Sequence, residues 1–109
     1  MRSAKIVMFN DLAGYLTEHD DYYRFRYDDL YLESPHAMAI SLTLPLTSEI
    51  YESRTLFPFF DGLIPEGWLL TIVEKNWKLD PRDRMGLLLA CCKDCIGAVS
   101  VLPIKEKEL

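Results

Sequence analysis

Tyr22-Tyr23-Arg24-Phe25-Arg26-Tyr27, residues 22–27, alternates from end to end. Tyr23, Phe25 and Tyr27 fall on one side of an extended chain, and Tyr22, Arg24 and Arg26 on the other. A period of two predicts a strand buried on one side only. The second side is either a solvated row or a partner surface, because Tyr and Arg are enriched where proteins meet.

The sequence on either side extends this pattern. Ile6-Val7-Met8-Phe9 is an apolar run that stops at Asn10-Asp11, a turn signal, and Leu12 to Thr17 returns as a second strand. Glu18-His19-Asp20-Asp21 is the polar turn into residues 22–27. Its acids and histidine have no readable pocket or positioned partner, which points to a solvated turn rather than acid–base chemistry. Ala37 to Leu44 repeats the alternation, with Met38, Ile40, Leu42 and Leu44 opposite Ser41 and Thr43. Pro45 ends that expected strand or confines it to an edge.

The second half changes period. Leu56-Phe57-Pro58-Phe59-Phe60-Asp61-Gly62-Leu63-Ile64-Pro65-Glu66-Gly67-Trp68-Leu69-Leu70 combines breakers with apolar bulk. Pro58, Pro65, Gly62 and Gly67 fix turns, while the aromatics need cover from the chain's own core or from another protein. Pro65 suits a first helical turn, and Leu69, Leu70, Ile72, Val73 and Trp77 then share one side of a helix over 65–77. Trp68 lies about 130° from the centre of that stripe at 3.6 residues per turn. It either covers the helix start or protrudes as an anchor. Asp80-Pro81-Arg82-Asp83 predicts a second helix start with Asp80 as N-cap, followed by the core stripe Met85, Leu88, Leu89 and Cys92. Lys93-Asp94 is the exit, and Ile96 to Leu102 suits a last strand closed by Pro103. The expected architecture is α+β: a small antiparallel sheet or partial barrel, then two or three short helices and a returning strand. Residues 1–104 are expected to form one domain and 105–109 a short tail.

Half of the 109 residues are apolar and 12% are aromatic, enough to bury a core. The formal charge of −5 disfavours phosphate backbones, so direct nucleic-acid binding is not expected. No apolar run reaches the roughly eighteen residues of a membrane span, and no leader is visible; a cytoplasmic protein is expected. The five glycines form no phosphate-binding loop, which argues against nucleotide binding and catalysis. Cys91, Cys92 and Cys95 suggest a redox pair, half of a zinc site or ordinary core packing. A closed zinc site needs four ligands, and His19 and His36 sit on separate turns, so core packing without metal or cofactor is expected.

Three segments resemble, in order and spacing, the amino-terminal subdomain of the HipA family of bacterial toxin kinases. They are Ser41-Leu42-Thr43-Leu44-Pro45-Leu46, then Phe57 to Gly67, then Arg84-Met85-Gly86-Leu87-Leu88-Leu89-Ala90-Cys91-Cys92-Lys93-Asp94-Cys95-Ile96-Gly97-Ala98-Val99. Cys91, Cys92 and the bulky Trp68 depart from the family habit. In the full-length toxins this subdomain precedes a second subdomain and a kinase core, whose nucleotide and Mg²⁺ motifs do not occur in these 109 residues. A separate copy resembles the HipS antitoxins of three-component HipBST toxin–antitoxin systems. The resemblance implies a protein that binds and inhibits a HipT-like serine/threonine kinase, with a HipB-like DNA-binding protein as a further partner in a ternary complex. An inter-domain surface, once detached, becomes an intermolecular one. Its expected residues are Phe57, Phe59, Phe60, Leu63, Glu66 and Trp68. The rival expectations are an activating subunit, an adaptor joining kinase and repressor, and, more distantly, a thiol oxidoreductase using Cys92 and Cys95.

Overall fold

The computed structural model describes residues 2–64, 82–92 and 98–104, with the backbone alone at Cys91. Its strands are β1 Arg2–Met8, β2 Asp11–Glu18, β3 Tyr23–Tyr27, β4 Tyr51–Ser53 and β5 Val99–Ile104. They form one antiparallel sheet in the order β4-β3-β2-β1-β5. The sheet is open among the described residues, with β4 and β5 as its edges. Among the described residues three short helices accompany it: α1 Asp29–Glu33, α2 Pro58–Asp61 and α3 Arg84–Cys91.

The first hairpin turns on Phe9 and Asn10, both at positive φ (49° and 75°). Positive φ at both central residues gives a two-residue turn the twist that antiparallel strands need. Met8 pairs with Asp11 and Val7 with Leu12, but Ile6 then pairs with Gly14. Ala13 is the extra residue of a β-bulge, which moves every later side chain of β2 to the opposite face. Gly14 is required at this bend: a Cβ there would lie 2.3 Å from the backbone oxygen of Arg26.

The alternation of residues 22–27 survives intact. Phe25 and Tyr27 are buried and Tyr23 half-buried, while Arg26 is exposed and Arg24 half-exposed. Across the sheet, Ala4, Ile6, Leu16 and Val101 join Phe25 on the inner face, under Phe60, Met85, Leu87 and Leu88. Arg2 ties the sheet to α3. Its guanidinium donates to Glu18 at 2.6 and 2.8 Å and to Asp83 at 2.7 and 2.8 Å. Those bonds, to Asp83 first, hold the Arg2 cation well above its ordinary pKa, and the same contact pulls Asp83 below its own.

Several expectations need correction. Residues 37–44 are not a strand; only an isolated bridge joins Ser41 and Leu44. Tyrosine hydroxyls take up the backbone of this segment instead. Tyr31 donates to the Met38 carbonyl at 2.7 Å and accepts from its N–H; Tyr27 donates to the Leu44 carbonyl and accepts from Ile40 N–H at 3.1 Å. Tyr51 donates to the Pro45 carbonyl at 2.6 Å. Ile40 and Leu44 are buried as expected, but Met38 and Leu42 are exposed, Leu42 at 99%. The segment is instead preceded by α1, capped by the Asp28 carboxylate on Tyr31 N–H, and followed by the three-residue β4.

The last described helix starts at Arg84 and its N-cap is Asp83, which accepts from Gly86 N–H at 3.1 Å. Its fully covered residues are Met85, Leu87, Leu88 and Cys92, with Leu89 only half-buried. This helix packs against both β5 and α2, so a wider arc than a single stripe is covered. Pro103 lies within β5, opposite Ala4, rather than closing it. An edge strand tolerates a missing N–H. The helix expected over 65–77, the N-cap assigned to Asp80, the exit at Lys93-Asp94 and the tail 105–109 lie outside the described residues.

Candidate functional site

The segment expected to meet a partner begins with α2. Pro58 occupies the first helical turn, where a missing N–H costs nothing, and Gly62 ends the helix with its N–H on the Pro58 carbonyl at 2.9 Å. One turn later, Ile64 N–H bonds the Asp61 carbonyl. This compact double turn sorts the aromatics. Phe60 is fully buried, edge-to-face with Phe57 and Phe59 and tilted against Phe25 at 5.5 Å between ring centroids. Phe57 is buried beside it.

The rings of Phe57 and Phe60 therefore fill this chain's own core. Phe59 and Leu63 are half-buried against the core, each with a side left open. Glu66 and Trp68 lie outside the described residues. The segment is braced from behind: Asp61 accepts from Arg84 of α3 at 2.6 Å, and the buried Cys92 thiol donates to the Leu63 carbonyl at 3.3 Å. Cys92 thus packs in the core, as expected of it; Cys95 and the Cys91 side chain fall outside the described residues.

A second cluster lies on the opposite face of the sheet. Tyr15 and Thr17 of β2 stand beside Arg26 and Arg24 of β3, their pairing partners. With His19 and Ile50 they line a pocket of about 240 Å³. His19 bonds Thr17 Oγ1 through Nε2 at 3.0 Å and stacks on Tyr22 at 4.6 Å. The Arg26 guanidinium lies 4.5 Å from the Tyr15 ring centroid, and Arg24 lies 5.1 Å from that of Tyr22. Partial burial, with Asp28 nearby, raises the Tyr15 hydroxyl above its ordinary pKa. The alternation of residues 22–27 marks Tyr22, Arg24 and Arg26, but not Tyr15, Thr17 or His19. Counting back from the turn without the bulge puts Tyr15 on the wrong face. Among the described residues no three His, Cys, Asp or Glu side chains are grouped to hold a metal, and no helix is long and apolar enough to cross a membrane.

Residues 4–102 match the HipA N-terminal domain. The chain belongs to this family. A HipA N-terminal domain structure superposes with a TM-score of 0.74 at 26% identity, covering 97% of this chain and 95% of that one. An uncharacterized protein of Haemophilus influenzae is 31% identical over 106 residues, 97% of this chain and 96% of its own length. A candidate kinase of Sinorhizobium fredii, Y4mE, is 29% identical over 85 residues, 78% of this chain but 20% of its own length. The chain is thus related to the N-terminal domain of a HipA toxin.

Proposed function

We propose that this HipA N-terminal domain is an antitoxin that binds and inhibits a HipT-like serine/threonine kinase, in the manner of HipS in a HipBST module. The observation that carries the reading is the distribution of the domain among its relatives. It makes up 20% of a candidate kinase and 96% of a small Haemophilus protein. Attached to a kinase, such a domain has a surface shaped to the rest of that chain; supplied separately, the same surface binds in trans.

The contact centres on the α2 segment. Phe59 and Leu63 present half-open apolar surface, Phe57 and Phe60 hold that surface rigid from beneath, and Glu66 and Trp68, which follow in sequence, are proposed to join the contact. Trp68 is the anchor, from its place off the apolar stripe expected for 65–77. A rigid scaffold under a few apolar anchors lowers the ordering cost of binding. Binding then either occludes the kinase cleft or restrains one of its moving loops. The test is co-expression: a HipT-like kinase that arrests growth alone should permit growth when this chain is supplied. Persistent arrest, with the chain soluble and abundant, would refute inhibition; deepened arrest would indicate an activating subunit.

A further inference from the structure

The outer face of the sheet has a chemistry that the kinase contact at α2 does not use. The chain is acidic overall, at −5, yet Lys5 of β1 and Arg24 and Arg26 of β3 share this face, with Tyr15 of β2 between Lys5 and Arg26. Lys5 pairs with Tyr15, and Tyr15 with Arg26. Arg24 is neutralised by Glu52 at 2.8 Å. Among the described residues Lys5 and Arg26 have no carboxylate partner. The pocket beneath Arg26 has two guanidinium groups and no carboxylate on its wall. Its apolar surface comes from Tyr15 and Ile50, and Ile50 is half-exposed at 52%.

The side chains of this face are also held in place. His19 is fixed by Thr17 and Tyr22, Arg24 by Tyr22 and Glu52, and Arg26 by Tyr15. Exposed arginines ordinarily lose much rotamer freedom when they bind; here stacking has removed part of it beforehand. The Arg26 guanidinium carbon lies 4.5 Å over the Tyr15 ring, and no carboxylate among the described residues takes up its N–H groups. Those N–H groups match a carboxylate fork.

We propose that the outer face of β1–β3 is a second docking surface, which takes an acidic segment of a partner protein with its carboxylates on Arg26 and Lys5 and an apolar side chain against Tyr15 and Ile50. The occupant is a protein segment rather than duplex DNA. Two unpaired cations on a chain of net negative charge are too few to hold a phosphate backbone, and the apolar wall suits a side chain. The proposal does not depend on kinase inhibition, because the surface lies on the sheet face opposite α2.

The test is fluorescence anisotropy at low salt with a labelled octaglutamate peptide ending in leucine. Octalysine and a short DNA duplex serve as the other arms, alongside amide NMR mapping of the wild-type chain. Saturable binding of the acidic peptide is expected, with shifts confined to Tyr15, Thr17, Arg26 and Ile50 and their neighbours. Arg26→Gln should weaken it about fivefold, and Lys5→Gln with Arg26→Gln by more than about tenfold, as for lost charge pairs at an interface. No binding by the wild type, tighter binding of the duplex, or shifts centred on α2 would each overturn the assignment. The NMR map decides the matter even if a variant misfolds.

Discussion

The two faces of β3 are built from neighbouring residues and obey different rules. Phe25 and Tyr27 point into a layer roofed by α2 and α3, where Phe60, Leu87 and Leu88 are fully covered. Arg24 and Arg26, one residue away, lie on the opposite face, against Tyr22, Tyr15 and Glu52. Volume decides the inner face, since every methylene removed leaves a hole. Charge and stacking decide the outer one, where removal leaves water. The inner face should therefore govern stability and the outer face recognition.

The sharpest way to break this contrast is Phe60→Ala. It empties the centre of a four-ring cluster and should cost about 3–5 kcal/mol in urea unfolding; a loss under about 1 kcal/mol would mean the core is elsewhere. Gly14→Ala comes next. Its Cβ would meet the Arg26 oxygen at 2.3 Å, so a loss of about 1–3 kcal/mol is expected from forced backbone movement. Gly86→Ala should be destabilising as well, although alanine is the better helix former by about 1 kcal/mol. The added Cβ would lie 2.4 Å from Asp83 Oδ2 and push the N-cap off Arg2.

Acid should sharpen the comparison through the same cap. Asp83 is held below its ordinary value of 3.8 by Arg2. A depressed folded-state pKa stabilises the protein above the unfolded value, and that stability disappears as pH falls through the lower folded value. The stability gap between the wild type and Arg2→Gln should thus be full near neutrality and shrink below about pH 4. A gap that stays constant down to pH 2 would remove Asp83 from the account. The smallest effect belongs to the outer face: Arg24→Gln, breaking an exposed pair with Glu52, should change stability by less than about 1 kcal/mol.

Much of this contrast is legible in the order of the amino acids. Periodicity places β3 and its inner row, because a half-buried strand must alternate, and the turn signal at Asn10 places β1 and β2 on either side of it. Asn10 marks the first turn because it tolerates positive φ. Periodicity fails at 37–44, where the same alternation occurs without a strand. There Tyr27, Tyr31 and Tyr51 hydroxyls supply the backbone partners, a long-range contact that no local pattern encodes. It fails again at the bulge, where one extra residue, Ala13, turns Tyr15 toward the arginines. In the α2 segment, composition signals apolar bulk but not its division: Phe57 and Phe60 to the core, Phe59 and Leu63 half-open. That division follows from the turn geometry around Pro58 and Gly62.

The most direct measurement is calorimetric titration of a HipT-like kinase with this chain, wild type and Trp68→Ala, alongside the thermal midpoint of each. The wild type should bind saturably. Trp68→Ala should keep its midpoint and lose about thirtyfold in affinity, the roughly 2 kcal/mol expected of a central tryptophan anchor. A variant that unfolds, or that binds as well as the wild type, would remove Trp68 from the contact. A wild-type chain that shows no binding heat and leaves the kinase fully active would contradict the proposed antitoxin function itself.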